Sequence, residues 1–209
     1  MPSGESGNWH TLERISPQLF LVGFVLELAF AAVHGAAYLV EGFSFIQWLY
    51  PTVILGRLAV LLGLAGMTAR LARGGYDRVK TASRVILALA IVSTTGLMAL
   101  STLIQFGVET QIIAIFGMST VLLTLLTLTL FGVVGVATDA YPTVIGVLLL
   151  ISTAAVLFVL FGQGTFSVDF RGAVGEGVNA AVFLAIWHLL STESEARSPR
   201  GPAADAMAE

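Results

Sequence analysis

Residues 143–161 read TVIGVLLLISTAAVLFVLF, a stretch without a charged side chain. Its length matches the roughly 20 residues that an α-helix needs to cross the hydrocarbon core of a bilayer. A strand of a membrane barrel would alternate apolar and polar residues, whereas residues 144–150 form a nearly continuous apolar run. Because a backbone surrounded by lipid must satisfy its hydrogen bonds within its own segment, this stretch predicts a transmembrane helix.

Five other stretches of the chain have the same apolar character. They are 19–40, 46–69, 84–106, 112–137 and 173–190. The sequence therefore predicts an all-α, polytopic membrane protein, with a bundle of six transmembrane helices in one domain at 17–191. Polar segments at 1–16 and 192–209 flank this domain and have the composition of disordered tails, the second of them acidic.

The composition of the whole chain agrees with a membrane protein. Of its 209 residues, 56 % are hydrophobic and 11 % are charged, whereas an average soluble domain is about 25 % charged. The absence of cysteine excludes disulfides, iron–sulfur clusters and thiolate zinc sites. A net charge of −3 gives no basic surface for nucleic acid, so the lipid bilayer is the partner that the composition indicates.

Lysine and arginine are distributed unevenly along the chain. With six crossings, one side of the membrane receives Arg14, Arg70, Arg73, Arg78, Lys80, Arg84, Arg197 and Arg200. The positive-inside rule then predicts a multi-pass protein of the cell membrane with both termini in the cytoplasm. One alternative stays open at the start of the chain, since Arg14 followed by an apolar run is also typical of a cleaved signal peptide.

Ionisable residues inside the predicted spans are the candidates for function, because each costs roughly 2.5–3.5 kcal/mol to insert and tends to face the bundle interior. Glu27, His34 and Glu41 are spaced by seven residues and fall on nearly one face of the first predicted helix. Arg57 lies at a similar depth on the second, which predicts an ion pair with Glu27. This stripe is either a proton or cation path or a neutralised pair that only fixes helix register.

The sixth predicted helix contributes a second polar pair. Glu176 and Asn179 are three residues apart and therefore adjacent on one helix face. At the depth of His34, they could form a polar pocket with it on the outer side of the bundle. The alternative is a solvated helix start, where an acidic residue is favoured by the helix dipole.

No cofactor is expected from this sequence. His34 and His188 would differ by about 14 Å in depth, too far apart for the two axial positions of one haem. The chain has no phosphate-binding glycine loop and no zinc-protease motif. No serine stands in a nucleophile motif with a base partner, so no catalytic residue is predicted.

Two functions remain open at this point. The first is a small transporter or ion-conducting protein that uses the stripe of the first helix. The second is a non-catalytic membrane subunit or assembly factor that packs against a partner subunit or a second copy. Its contact surface would be a seam of small residues on the sixth helix, namely Ala173, Gly177, Ala181 and Ala185. An intramembrane enzyme is disfavoured because a catalytic set is missing, and a cavity that reaches Glu27 and His34 would favour transport.

Overall fold

The computed structural model describes residues 5–40, 46–71, 77–105, 112–138, 140–162 and 164–197. Within these ranges the chain is helical and has no strand. The helices are α1 Glu5–Leu39, α2 Ile46–Leu71, α3 Asp77–Gln105, α4 Ile112–Ala137, α5 Thr143–Phe161 and α6 Val168–Arg197. Each is long and apolar enough to cross a membrane, which confirms the predicted all-α, multi-pass architecture.

The helix bounds differ from the predicted spans mainly at the polar ends. Helices α4 and α5 begin and end where predicted, whereas α3 and α6 begin earlier than residues 84 and 173. Helix α1 begins at Glu5, so much of the segment at 1–16 that was predicted to be a disordered tail is helical. This segment also contacts α2, because Ser16 Oγ donates a hydrogen bond to the Gly63 carbonyl oxygen at 2.8 Å. Hydropathy locates the part of a helix that lies in hydrocarbon, and a helix can continue into the polar interface beyond it.

The six helices form a closed ring in chain order. Each packs against its neighbours in sequence, and α6 returns to pack against α1. The contacts of α1 with α2 and with α6 are the most extensive. The ring matters for function because side chains from every helix can face one central space.

The bundle is packed solidly on the side where α1 begins and α6 ends. Fully buried apolar side chains fill this half, among them Phe20, Leu61, Leu64, Phe131, Ile145, Leu149 and Ile186. The outer surface is apolar as well, with Val92 and Ile115 both 67 % exposed. A surface of this kind is suited to contact with lipid chains rather than with water.

Helices α4 and α5 approach each other more closely than side chains normally allow. A Cβ atom on Gly146 would lie 2.7 Å from the backbone nitrogen of Val136 and 2.8 Å from the Gly132 carbonyl oxygen. A Cβ atom on Gly135 would lie 2.8 Å from the Gly146 Cα atom. Small residues at such positions let backbones touch, which strengthens van der Waals packing between helices in a membrane.

Candidate functional site

Polar side chains from five helices meet at mid-depth in the bundle. We call this group the polar layer; it consists of Glu27, Arg57, Thr124, Ser152, Glu176 and Asn179. All of them are buried except Arg57, whose side chain is 24 % exposed. Four members were predicted from the sequence, and the tertiary structure brings these four together with two hydroxyl groups.

Arg57 lies between two buried carboxylates. Its Nη2 donates to Glu176 Oε1 at 3.0 Å, and its Nε lies 3.9 Å from Glu27 Oε1. The predicted contact with Glu27 is therefore present, but the shorter contact is with Glu176, which the sequence had placed in a separate pocket. When both acids are ionised, two negative charges share one guanidinium, so the three side chains carry a net charge of −1.

Asn179 connects Glu176 to α5. Its Nδ2 donates to Glu176 Oε2 at 3.5 Å, which is the contact expected from their spacing on one helix face. Its Oδ1 accepts a hydrogen bond from Ser152 Oγ at 2.7 Å. This chain of contacts fixes the orientation of the Glu176 carboxylate, because each of its two oxygens has a polar partner.

A central cavity lies directly on the polar layer, in the half of the bundle where α1 ends and α6 begins. Its volume is about 640 Å³, it is partly open, and all six helices line it. Most of its wall is apolar, including Phe30, Val53, Ile54, Leu97, Val121 and Val156. His34, Arg57, Glu176 and Asn179 supply polar groups at its wall and floor.

His34 is held against the start of α6. Its Nδ1 lies 3.2 Å from Asp169 Oδ1, and its ring packs edge-on against Phe30 with centroids 4.6 Å apart. Gly172 makes this position available, because a Cβ atom there would lie 2.6 Å from the His34 Cγ atom. The sequence did not identify Asp169 as a partner, because α6 was predicted to begin at residue 173.

A methyl group at Gly172 should displace the His34 ring. We expect Gly172→Ala to break the contact with Asp169, and to change the ring signals of His34 in an NMR spectrum of labelled histidine. Gly177→Ala on the same helix is the matched control, since a Cβ atom there meets only Ala31 at 4.0 Å and both changes raise helix propensity equally. Equal spectra for Gly172→Ala and the parent protein would contradict this account of the site.

The remaining predicted residues lie outside the polar layer or outside the described part of the chain. Glu41, the outermost residue of the predicted stripe, lies outside the described residues. The small-residue seam of α6 is divided between the bundle and its surface: Gly177 faces Ala31 of α1, whereas Ala181 is exposed. Thr124 and Ser152 were not among the predicted site residues, because the hydroxyl groups of apolar helices usually bond their own backbone.

Comparisons with protein-family models, with curated proteins and with solved structures give no match to this chain.

Proposed function

We propose that this protein is a small transporter whose central cavity binds a mostly apolar solute that carries one positive charge. The observation that carries the proposal is a cavity of about 640 Å³ whose floor holds the Glu176 carboxylate and the Arg57 guanidinium, with the Glu27 carboxylate beneath them in contact with Arg57. Its volume falls in the range of about 300–1,000 Å³ that is typical of sites for small molecules. The cavity is also far larger than the space that a single dehydrated metal ion occupies.

The charge of the floor supports a cationic solute. Arg57 can neutralise only one of the two acids, Glu27 and Glu176, at a time. An unpaired charge is expensive in the membrane interior, so a cation entering the cavity from the open side would complete the charge balance. The apolar wall around Val53, Leu97 and Val156 suits the hydrocarbon part of such a solute.

The position of the cavity supports transport rather than conduction through a pore. The cavity lies in one half of the bundle, and fully buried side chains such as Phe20, Leu64 and Ile186 fill the other half. A site at mid-depth that is accessible from one side is the expected form of an alternating-access transporter in one of its states. With both termini in the cytoplasm, as the basic residues predict, this state faces the outside of the cell.

The natural absence of cysteine makes the water content of the cavity directly testable. We expect Gly117→Cys, on the cavity wall and with open space around it, to react in liposomes with a charged methanethiosulfonate reagent. Val92→Cys should stay unlabelled although Val92 is 67 % exposed, because a thiol in hydrocarbon does not form the reactive thiolate. Equal labelling of the two variants would contradict a water-filled cavity.

Two ions of one shape and opposite charge can test the proposed substrate class. We expect the purified protein to bind radiolabelled tetraphenylphosphonium and not tetraphenylborate. Glu176→Gln keeps the side-chain shape but removes one negative charge from the floor, so it should weaken the binding of the cation at least about tenfold, which corresponds to about 1.4 kcal/mol. Uptake of tetraethylammonium into proteoliposomes then tests transport itself. Preferential binding of tetraphenylborate, or the absence of both binding and uptake, would refute the proposal.

A non-catalytic subunit is the second candidate, and the exposed part of the α6 seam favours it. Ala181 is exposed and Ala185 is half-buried one helical turn further on, so a partner helix could pack closely there. This candidate predicts that Ala181→Leu disrupts an assembly in native membranes while the binding of tetraphenylphosphonium is unchanged. If the protein is a transporter, we expect Ala181→Leu to cause no such loss of assembly.

A further inference from the structure

A second, much smaller cavity lies beneath the central one, within the polar layer. Its volume is about 20 Å³, and a site of about 10–15 Å³ by this measure is enough for one water molecule. Its polar lining comes from Glu27, Arg57, Thr124, Ser152 and Asn179. The size and the polar lining together indicate a site for a single small polar occupant.

Two buried oxygen atoms at this cavity have no hydrogen-bond partner among the described residues. They are Glu27 Oε2 and Thr124 Oγ1. Glu27 is 1 % exposed to solvent and Thr124 is 8 % exposed. Ser152 and Asn179, by contrast, form a hydrogen bond with each other. An unsatisfied buried polar group costs about 1–3 kcal/mol, and one occupant between Glu27 and Thr124 would remove this cost for both.

The charged groups around the cavity distinguish the two acids. Arg57 is 3.0 Å from Glu176 but 3.9 Å from Glu27, and Asn179 also donates to Glu176. Glu176 thus has the positive partner and the amide, whereas Glu27 has the more distant contact with Arg57, a contact with the Glu176 carboxyl, and one oxygen without a partner among the described residues. His34, the next titratable group on α1, is bonded to Asp169 instead.

We propose that Glu27 is a proton-binding site, and that its carboxylic acid donates to one water molecule held in the small cavity against Thr124. The water accepts the Glu27 proton in a hydrogen bond and donates in turn to Thr124 Oγ1. With this proton, the three charged side chains of the polar layer become neutral as a group. A metal cation is disfavoured, because Arg57 lines the same cavity and, among the described residues that line it, two buried side-chain oxygens lack a partner, fewer than a metal ion requires.

This inference rests on the proposed function and names the coupling ion of that transporter. When the cavity holds no cationic solute, the bound proton neutralises the one negative charge that Arg57 leaves uncompensated. When the solute binds at the floor beside Glu176, Glu27 beneath it releases the proton to water, and the Glu27 carboxylate then balances the solute charge within the polar layer. Binding of one cation and release of one proton keep the group neutral, which gives an exchange of solute against protons.

Infrared spectroscopy of the lipid-reconstituted protein without solute tests the proton site independently of transport. We expect a carbonyl stretching band of a protonated carboxylic acid at neutral pH, lost in Glu27→Gln and kept in the control Asp169→Asn. Thr124→Val should retain the band but shift it, because the water loses the group that it donates to. Absence of the band in the parent protein, or its persistence in Glu27→Gln, would overturn the proposal.

A second measurement separates this proposal from the proposed function. Addition of tetraphenylphosphonium to the protein in weak buffer should release about one proton per bound cation, and Glu27→Gln should abolish this release. If the cation binds without proton release, the proton site is wrong and the transporter proposal survives. If the infrared band is present but no cation binds, the proton site stands and the transporter proposal fails. If the protein binds radioactive sodium and this binding depends on Glu27, the occupant is a metal ion and the proposed proton site is wrong.

Discussion

Arg57→Met should destabilise the folded bundle by about 3–5 kcal/mol, the cost of removing one partner from a buried ion pair. Methionine fills a similar volume but leaves Glu27 and Glu176, both nearly inaccessible, without the guanidinium between them. The loss arises because the Glu176 charge is left uncompensated beside a second acid, rather than from the missing contacts of arginine. Unfolding of the purified protein in mixed micelles with increasing dodecyl sulfate measures the free-energy difference.

Removal of the two acids should restore much of this stability. In the triple variant Arg57→Met, Glu27→Gln, Glu176→Gln the amides keep the side-chain shapes but carry no charge, and buried ion pairs can often be replaced without loss. Such a rescued protein should fold but should not bind tetraphenylphosphonium. A triple variant that is no more stable than Arg57→Met would show that arginine acts through packing, and would remove the electrostatic basis of the site.

Gly146→Leu should disrupt the contact between α4 and α5 and cost at least about 3 kcal/mol, the upper end of the usual range for overpacking. The atoms that a side chain at this position would meet are backbone atoms of α4, at Val136, Gly132 and Gly135. A backbone cannot rotate away as a side chain can, so the two helices would have to separate. The same unfolding measurement gives the size of the effect.

Gly117→Leu is the control for this prediction. Gly117 also lies inside a transmembrane helix, α4, but a Cβ atom there meets nothing within 4 Å. We therefore expect a stability close to that of the parent protein, with a smaller effective cavity. If Gly117→Leu and Gly146→Leu are equally destabilised, the close approach of α4 and α5 does not contribute to stability as described.

The local properties of the sequence were sufficient to identify the helices. The bounds of α4 and α5 agree with the prediction because an apolar run and the requirement for internal backbone hydrogen bonds act within one segment. The same reasoning identified Glu27, Arg57, Glu176 and Asn179 as candidates, since polar groups inside apolar spans stand out without any knowledge of neighbours. It was least accurate at the polar helix ends, such as the starts of α1 and α6.

The partners of these residues required the tertiary structure. The closure of the ring by α6 against α1 places Glu176 beside Arg57, and it places Asp169 beside His34. Nothing in the spacing of residues within α1 or α6 specifies which helices become neighbours. Thr124 illustrates the same limit, because a threonine in an apolar helix has no distinguishing sequence signal until it is found to line the same small cavity as Glu27.

The sequence alone thus determined that the chain forms helices long and apolar enough to cross a membrane six times, and which of its polar residues lie near their middle. Both follow from the free energy of transferring each segment from water to hydrocarbon, which depends on that segment only. The tertiary structure decided that Glu27 and Glu176 share the Arg57 guanidinium, and that the polar layer lies between a central cavity and a smaller one. Those features depend on distances between helices far apart in the chain, and such distances arise from the packing of side chains and glycines across the ring.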